Sequence, residues 1–315
     1  MGITKTDIVT DFGAHYIPEG QNEKRLLSAL RQKSVTTSYA KPLIYDGDTY
    51  RFSNVVLGEI VQQFQKKFTP KGDIEFKPND IVLRNLKIDL SLYPDDVKAS
   101  WLGFLEGVNE QERAKWPIVR YMIENEVIPQ LKEDLELKGY FKGSWVAPTS
   151  DVAGTATGSI DGVKKLLDAG IADSSMQNVA LTAAISSANA FDMIEEFVDN
   201  IDSLLDGVKK RVYMDPKVLR WYHRDKRNTH GVDVNYDPNK PVVDFTNVEL
   251  VGLPSMAGEK YLWCTPVDNF LYIRRVNGMK KPRIEESQRE VYLMADWWEG
   301  LGFGHNELVY VSTWV

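Results

Sequence analysis

Cysteine is nearly absent from this sequence of 315 residues, in which Cys264 is the single example. One cysteine excludes an internal disulfide and a cysteine-based metal cluster. An excess of cationic residues is missing as well, because the formal net charge is −7. A broad, sequence-independent grip on nucleic acid needs clustered lysine and arginine, so the composition argues against that function.

Long apolar runs are also missing. No stretch of about 18 apolar residues exists, so no membrane-spanning helix and no membrane partner are expected. The first residues lack the basic patch and apolar run of a secretory signal. What the chain does contain is typical of a soluble protein, with 43% hydrophobic and 26% charged residues. A chain of this length can bury a sizeable core in one large or two ordinary domains.

Recognisable catalytic motifs are the third absence. The histidines are His15, His223, His230 and His305. None of them belongs to an HExxH motif, and the segment Gly154–Gly158 lacks the Gly-Lys-Ser/Thr ending of a phosphate loop. Ser255 lacks the GxSxG context of a hydrolase nucleophile. We therefore assign no catalytic, cofactor-binding or metal-binding residue, and we expect no cofactor.

One enzymatic alternative stays open. His223 and His230 are seven residues apart and could share one helix face. Four acidic residues at helical spacing could form a carboxylate site; they are Asp192, Glu195, Glu196 and Asp199. Such an enzyme would need a concave pocket that joins the two groups. A solvated, charged helix face is the more common origin of both patterns.

Four smaller features also carry expectations. Cys264 lies in an apolar strand and is expected to be buried and inert. Gly300–Gly304 alternates as GxGxG without a following helix, which favours a tight turn between strands. The pair Trp297–Trp298 predicts one ring in the core and one at an interface. The basic runs predict contact with phosphate or with an acidic neighbouring subunit; they are 209–211, 224–227 and 280–283.

One stretch, Trp116 to Gly139, organises the chain. Apolar residues recur at every third or fourth position, which predicts a helix with one buried face. Pro117 suits the first turn and Gly139 suits the end of that helix. Pro129 lies inside it and predicts a kink, because proline lacks the N–H and crowds the carbonyl four residues back. A helix of this length, about 33 Å, predicts a spine on which a sheet packs.

A β-hairpin is predicted before this helix. Val56 to Lys67 has helical spacing, but polar and apolar residues alternate from Leu86 to Leu92, which indicates a strand with one buried face. A short strand from Asp73 to Lys77 would join it through a turn at 78–80. The charged flanks suggest a hairpin that packs on a neighbouring subunit, since an isolated hairpin is marginal in water.

The remaining elements alternate between helix and strand. Residues 1–20 are expected to form an extended arm, 21–33 a short helix and 46–48 a turn. A helix begins at Pro94, with Val97, Trp101, Leu102 and Leu105 on its buried face. Residues 147–159 are small and polar and mark a domain boundary. Helices follow at 160–169, at 188–205 and after Asp215, and strands at 210–214, 242–251, 261–265, 270–276, 287–294 and 307–313.

The order of these elements resembles the major capsid proteins of tailed phages and prophages with the Hong Kong 97 fold, in particular those of gut Bacteroidetes phages. Five segments carry the resemblance, in sequence order. The extended loop and the helix after it are resembled by TPKGDIEFKP with VLRNLKIDLSLYPDDVKASWLGFL, and the spine helix by WPIVRYMIENEVIPQLKEDLE. The axial domain is resembled by VYMDPKVLRWYHRDKRNTHG, its closing strands by VDFTNVELVGLPSMAGEKYLWCTPVDNFLYIRR, and the return to the peripheral domain by REVYLMADWWEGLGFG. The implied fold class is α+β, with an N-terminal arm, an extended β-hairpin loop, a spine helix with peripheral sheet, and an α/β axial domain.

The resemblance also implies a division of the chain and a function. The implied regions are an N-terminal arm (1–55), the extended loop (56–94), a peripheral domain with the spine helix (95–150), an axial domain (151–280) and return strands (281–315). The implied function is a shell subunit that forms hexamers and pentamers of an icosahedral capsid around phage DNA. The hairpin would lie over the adjacent subunit, and axial domains would meet at capsomer centres.

The expected partners are further copies of the chain, a separate scaffolding protein, a portal, and packaged DNA through weak non-specific contacts. Many members of the family begin with a long helical scaffolding segment, whereas this chain reaches the arm within its first fifty residues. The resemblance therefore implies either a separate scaffold or a mature form of the chain. The expected location is the virion, after assembly in the host bacterial cytoplasm. A cellular compartment shell of the encapsulin type is the main alternative, because one fold can serve both roles.

Overall fold

The computed structural model of the chain describes residues 34–107, 118–230, 242–275, 283–287 and 290–314. Its strands are β1 (Lys41–Ile44), β2 (Thr49–Leu57), β3 (Ile74–Val82), β4 (Arg84–Leu92), β5 (Gln177–Asn178), β6 (Lys210–Met214), β7 (Val248–Gly252), β8 (Tyr261–Pro266), β9 (Phe270–Arg274), β10 (Arg283–Ser287), β11 (Glu290–Phe303) and β12 (Tyr310–Thr313). Its helices are α1 (Val35–Ser38), α2 (Pro94–Glu106), α3 (118–139), α4 (Val163–Ala172), α5 (Ala190–Asp199) and α6 (Pro216–His230).

The extended arm expected at 1–20, which includes His15, and the helix expected at 21–33 lie outside the described residues. So do Trp116, Pro117 and positions 280–282 of one basic run.

The first sheet is built around β11, a strand of 14 residues. Its strand order is β1-β9-β11-β10, and β4 also pairs with β11. The spine helix α3 contributes Leu135 to the core that contains Leu86 of β4 and Leu301 of β11. The expected packing of a sheet on the spine helix is therefore confirmed.

The spine helix changes its hydrogen-bonding pattern around Pro129. It passes from α-helix (Ile118–Tyr121) to π-helix (Met122–Val127), then to α-helix again (Ile128–Asp134) and ends in π-helix (Leu135–Gly139). The Ile128 N–H donates to the carbonyl of Ile123, five residues back. This wider turn directly precedes Pro129, so the local disturbance that proline predicts takes the form of a π-helical segment.

The second sheet has the order β5-β12-β8-β6-β7. Alternation along β6 places Val212 and Met214 in the core under α5 and α6, whereas Tyr213 belongs to the core shared with the spine helix. Both faces of the sheet are therefore covered, as expected for an α/β layer. Tyr213 stacks on Trp263 of β8, with 4.1 Å between the ring centroids.

The predicted hairpin exists, but its strands are different. β2 pairs antiparallel with β3, and β4 pairs with β11. Residues 78–80 are not a turn, because they lie inside β3, where Pro78 faces Ser53. Proline is tolerated there since a two-stranded ribbon leaves one edge of each strand unpaired. The predicted helix from Val56 to Lys67 is also wrong: Val56 and Leu57 end β2, and residues 58–73 form a loop.

The predicted turn at Gly300–Gly304 is wrong as well. β11 continues through Gly300 and Gly302, which pair with Ile273 and Leu271 of β9. The expected boundaries of other elements shift by a few residues. α4 begins at Val163 after an extended Gly162, and α5 ends at Asp199. The strand expected over 242–251 begins at Val248, with Val242 in an isolated bridge.

Residues 147–159, expected to mark a domain boundary, form a loop without regular secondary structure. At its two ends, the Ser144 and Val146 N–H groups donate to the carbonyls of Thr157 and Gly158, at 2.8 and 3.0 Å. The division of the chain into five regions stays a prediction. Among the residues that the structure describes, no helix combines the length and apolar character needed to cross a membrane.

Candidate assembly surface

The β2–β3 ribbon has a fixed root. Ile81 and Leu83 are buried in a small core with Leu271 and Ile273 of β9. Beside them, the side-chain amide of Asn79 donates to the Phe303 carbonyl at 2.6 Å. The ribbon is therefore held by both apolar packing and a hydrogen bond to the end of β11.

Two glycines allow β3 to approach β11 closely. A Cβ added at Gly300 would lie 2.8 Å from the Val82 carbonyl oxygen, and one added at Gly302 would lie 2.5 Å from Ile81 Cγ1. Contacts of this length are below van der Waals distance. The GxGxG pattern therefore marks a strand crossing, where a larger side chain would push the ribbon away from the sheet.

The ribbon extends well beyond this root. Nine residues in each strand, from Thr49 and Val82 to Leu57 and Ile74, span about 26 Å at 3.3 Å per residue. An ion pair of Arg51 with Asp80 joins the strands, with 2.6 Å between Nε and Oδ1. The pair is exposed, so it serves mainly to align the strands.

The tip, residues 58–73, is a closed loop. The Gly58 N–H donates to the Asp73 carbonyl at 3.0 Å and closes its base. The Gln62 side chain donates to the Thr69 carbonyl at 2.7 Å, and Lys71 Nζ lies 2.9 Å from Glu59 Oε1. These contacts within the loop stabilise its conformation without help from the rest of the chain.

The tip carries apolar side chains that no other described part of the chain covers. Phe64 and Phe68 are 91% and 89% exposed, and Ile60 and Val61 are exposed too. Isolated exposed apolar residues are common, but four of them within one loop favour an interaction site. The tip is therefore a candidate surface for contact with another molecule.

Helix α2 presents a second apolar surface. Its start at Pro94 is confirmed. Phe104 contacts Tyr121 of the spine helix with 4.9 Å between ring centroids, while Trp101 and Leu105 are only half-buried. Leu102 was expected to be buried, but it is 46% exposed. The apolar face of α2 is therefore wider than its contact with α3.

Hydrogen bonds between buried polar groups join several elements of the part of the molecule to which the ribbon is attached. Glu136 of the spine helix accepts hydrogen bonds from the Thr36 N–H at 3.2 Å and the Thr36 hydroxyl at 2.6 Å. Ser255 lies 2.7 Å from the same hydroxyl and is fully buried. Ser255 is therefore part of a structural network that joins α1, α3 and the segment after β7.

Arg84 and Asp161 connect the first sheet to the second half of the chain. Arg84 Nη2 lies 2.7 Å from Asp161 Oδ2, and both side chains are mostly buried. The Arg84 guanidinium also lies 3.9 Å from the centroid of the Trp145 ring. Burial raises the pKa of Asp161, but hydrogen bonds from Lys165 and Arg84 outweigh it and hold the pKa below its usual value.

Among the described side chains, His223 and the carboxylates of the enzymatic alternative do not form a recognisable site. His230 is the last residue of α6, and its side chain lies outside the description. His223 is half-buried, and desolvation together with Lys226 lowers its pKa. Glu196 accepts hydrogen bonds from the Thr182 N–H and hydroxyl, and Asp192 and Asp199 face solvent. Within the described ranges, no group of three or more His, Cys, Asp or Glu side chains could hold a metal ion.

The other sequence features have structural explanations. Cys264 is fully buried, and burial raises its pKa to about 12, which leaves the thiol unreactive at neutral pH. Trp297 and Trp298 are both half-buried, against different cores. Lys210 is buried and donates to the Leu205 carbonyl, while Arg211 pairs with Glu249 at 2.9 Å.

The structure resembles known phage capsid structures. A chain of the satellite phage P4 procapsid, a particle that includes the size determination (Sid) protein, matches with a TM-score of 0.61 and 13% identity, over 98% of this chain and 95% of that chain. The capsid of an empty GTA particle matches with a TM-score of 0.50 and 10% identity, over 90% and 91%. No protein-family model and no curated protein matches the sequence. The chain therefore has the α+β capsid fold of the Hong Kong 97 type, as the sequence predicts.

Proposed function

We propose that this chain is a major capsid protein, a structural subunit that assembles into hexamers and pentamers of an icosahedral shell around phage double-stranded DNA. The observation that carries the proposal is a ribbon with a fixed root and an exposed apolar tip, on a chain with the fold of phage capsid proteins. Its partner is a neighbouring copy of the same chain, on which the tip rests.

The tip supplies enough apolar surface for such a contact. Burying one large apolar side chain contributes about 1.5–3 kcal/mol, and four such side chains are exposed on the tip. Specific interfaces bury on the order of 1,600 Å² in total. The tip together with the flanks of the ribbon can provide a large part of that area, and α2 offers further apolar surface.

Other partners follow from the role in a shell. A separate scaffolding protein and a portal would direct closure, and the subunit would reside in the virion after assembly in the host bacterial cytoplasm. Contact with packaged DNA would be weak and non-specific, since the net charge is −7. A cellular compartment shell of the same fold is the alternative, but the capsid structures that this chain resembles favour the phage role. Nuclease-protected DNA inside particles from the native host would exclude that alternative, and an enclosed enzyme would favour it.

The role of the tip can be tested with the variant Phe64→Ala/Phe68→Ala. We expect closed particles to be lost, because the variant removes the exposed rings that would be buried on the neighbour. The thermal midpoint of the unassembled chain should stay unchanged, since neither ring contributes to its core. Assembly is measured by sedimentation and electron microscopy.

A matched control is Val152→Ala, which shortens an apolar side chain that is 65% exposed on a loop outside the ribbon. This variant should assemble like the original chain. A second variant replaces residues 59–72 with an Asn-Gly turn, which keeps both strands of the ribbon. Normal particles from either tip variant would contradict the proposed role of the ribbon.

A further inference from the structure

The two helices that cover one face of the second sheet carry opposite charge. On α6, four exposed cations recur at helical spacing and form what we call the basic stripe: Lys217, Arg220, Arg224 and Arg227. On α5, three carboxylates recur in the same way and form the acidic stripe: Asp192, Glu196 and Asp199. In a chain of net charge −7, such a separation of charge on adjacent helices is notable.

The stripes do not neutralise each other within the chain. The α6 residues that meet α5 are Tyr222, whose ring centroid lies 5.5 Å from that of Phe191, and Asp225, which accepts a hydrogen bond from the Phe191 N–H at 2.9 Å. At about 100° per residue, the basic stripe lies on the opposite side of α6 from these contacts. On α5, Asp192 and Asp199 are exposed and lie about a quarter turn from Phe191. Glu196 accepts a hydrogen bond from the Thr182 hydroxyl.

We propose that the basic stripe of one copy docks on the acidic stripe of the next copy around a capsomer. This inference rests on the proposed shell function. A contact between two different surfaces of identical subunits is heterologous, and it closes into a ring when the rotation allows. Each copy then presents one stripe to each of its two neighbours. Complementary charge of this kind selects partner and register.

Packaged DNA is the competing occupant of the basic stripe. The net charge of −7 disfavours a duplex, because its affinity depends on cations that neutralise phosphates. A second copy of the chain instead offers a matching acidic surface.

The test uses charge reversal on each stripe. The basic-reversed variant is Arg220→Glu/Arg224→Glu/Arg227→Glu, and the acidic-reversed variant is Asp192→Lys/Asp199→Lys. Either variant alone places like charges at every contact between neighbours, so we expect at least a tenfold loss of closed particles. Circular dichroism and the thermal midpoint check that each variant folds. The control Arg220→Lys/Arg224→Lys/Arg227→Lys keeps the charge and should assemble normally.

Mixing the two variants gives a sharper result. Alternating copies make every contact attractive in a ring with an even number of subunits, but an odd ring must contain one like-charge contact. The mixture should therefore form hexamers, sheets or tubes without the pentamers that close an icosahedral shell. A single chain that carries both reversals should form closed particles again.

The outcomes separate this inference from the proposed function. Particles from the original chain establish shell formation, whatever the charge variants do. Normal assembly of the basic-reversed variant would overturn the inference. Normal assembly combined with weaker binding of a DNA duplex at low salt would assign the basic stripe to DNA. Loss of assembly that neither mixing nor the doubly reversed chain restores would also overturn it.

Discussion

Glu299 lies on β11 with only 2% of its surface exposed. Its carboxyl group accepts a hydrogen bond from the Tyr272 hydroxyl at 2.7 Å, and the Tyr140 hydroxyl lies 3.5 Å away. Burial raises the pKa of Glu299, although the hydrogen bonds from Tyr272, Trp297 and Tyr140 and the nearby Arg274 oppose the shift. The ionisation of this one residue therefore makes the stability of the folded chain depend on pH.

The sign of this coupling predicts a pH-dependent stability. The folded chain holds the Glu299 proton more tightly than the unfolded chain, so its free energy of unfolding falls as pH rises from about 4.5 through the raised pKa. In Glu299→Gln, which cannot ionise, we expect a flatter decline. Urea unfolding of the unassembled chain between about pH 4 and 8 measures the difference.

The control for this experiment is Glu285→Gln, because Glu285 lies on the neighbouring strand β10 and is exposed. Its stability should follow the pH profile of the original chain. A Glu299→Gln profile parallel to that of the original chain would refute the coupling.

At the scale of elements, the root of the ribbon depends on the close crossing of β3 over β11. Gly302→Ala should reduce the free energy of unfolding by about 1–3 kcal/mol, because the added methyl group would overlap Ile81. The same substitution should cost less in an Ile81→Ala background, since the effects of substitutions at contacting residues are not additive. Denaturant unfolding of the original chain, the two single variants and the double variant gives the coupling free energy between the two sites.

Gly154→Ala is the matched control, because a Cβ added there meets no atom within 4 Å. Its stability should change little. An equal cost of Gly302→Ala with and without the Ile81 side chain would show that the crossing is not the cause.

Element types were more predictable from the sequence than strand partners. Periodicity identified α3 and α5 because each has a clear buried face. It misassigned residues 58–67, where apolar side chains at helical spacing are exposed on the tip, because spacing alone does not report burial. Pro78 and the glycines of β11 indicated turns, yet they lie inside paired strands, β3 with β2 and β11 with β9. Local sequence patterns do not report such pairing between distant segments.

At the scale of the whole molecule, the sequence predicted the fold through the order of its elements, although no single motif determined it. The contact surfaces needed coordinates. The exposed tip of the ribbon is visible only once β2 is known to pair with β3, and the basic and acidic stripes only once α5 and α6 are known to be adjacent.

The central claim is that the tip of the ribbon rests on another copy of the chain. Electron microscopy of the purified, assembled chain tests it most directly. We expect closed particles in which residues 58–73 of each copy contact the adjacent copy, with Phe64 and Phe68 buried between them. A chain that stays monomeric under assembly conditions, or particles in which the ribbon contacts only its own subunit, would contradict the claim.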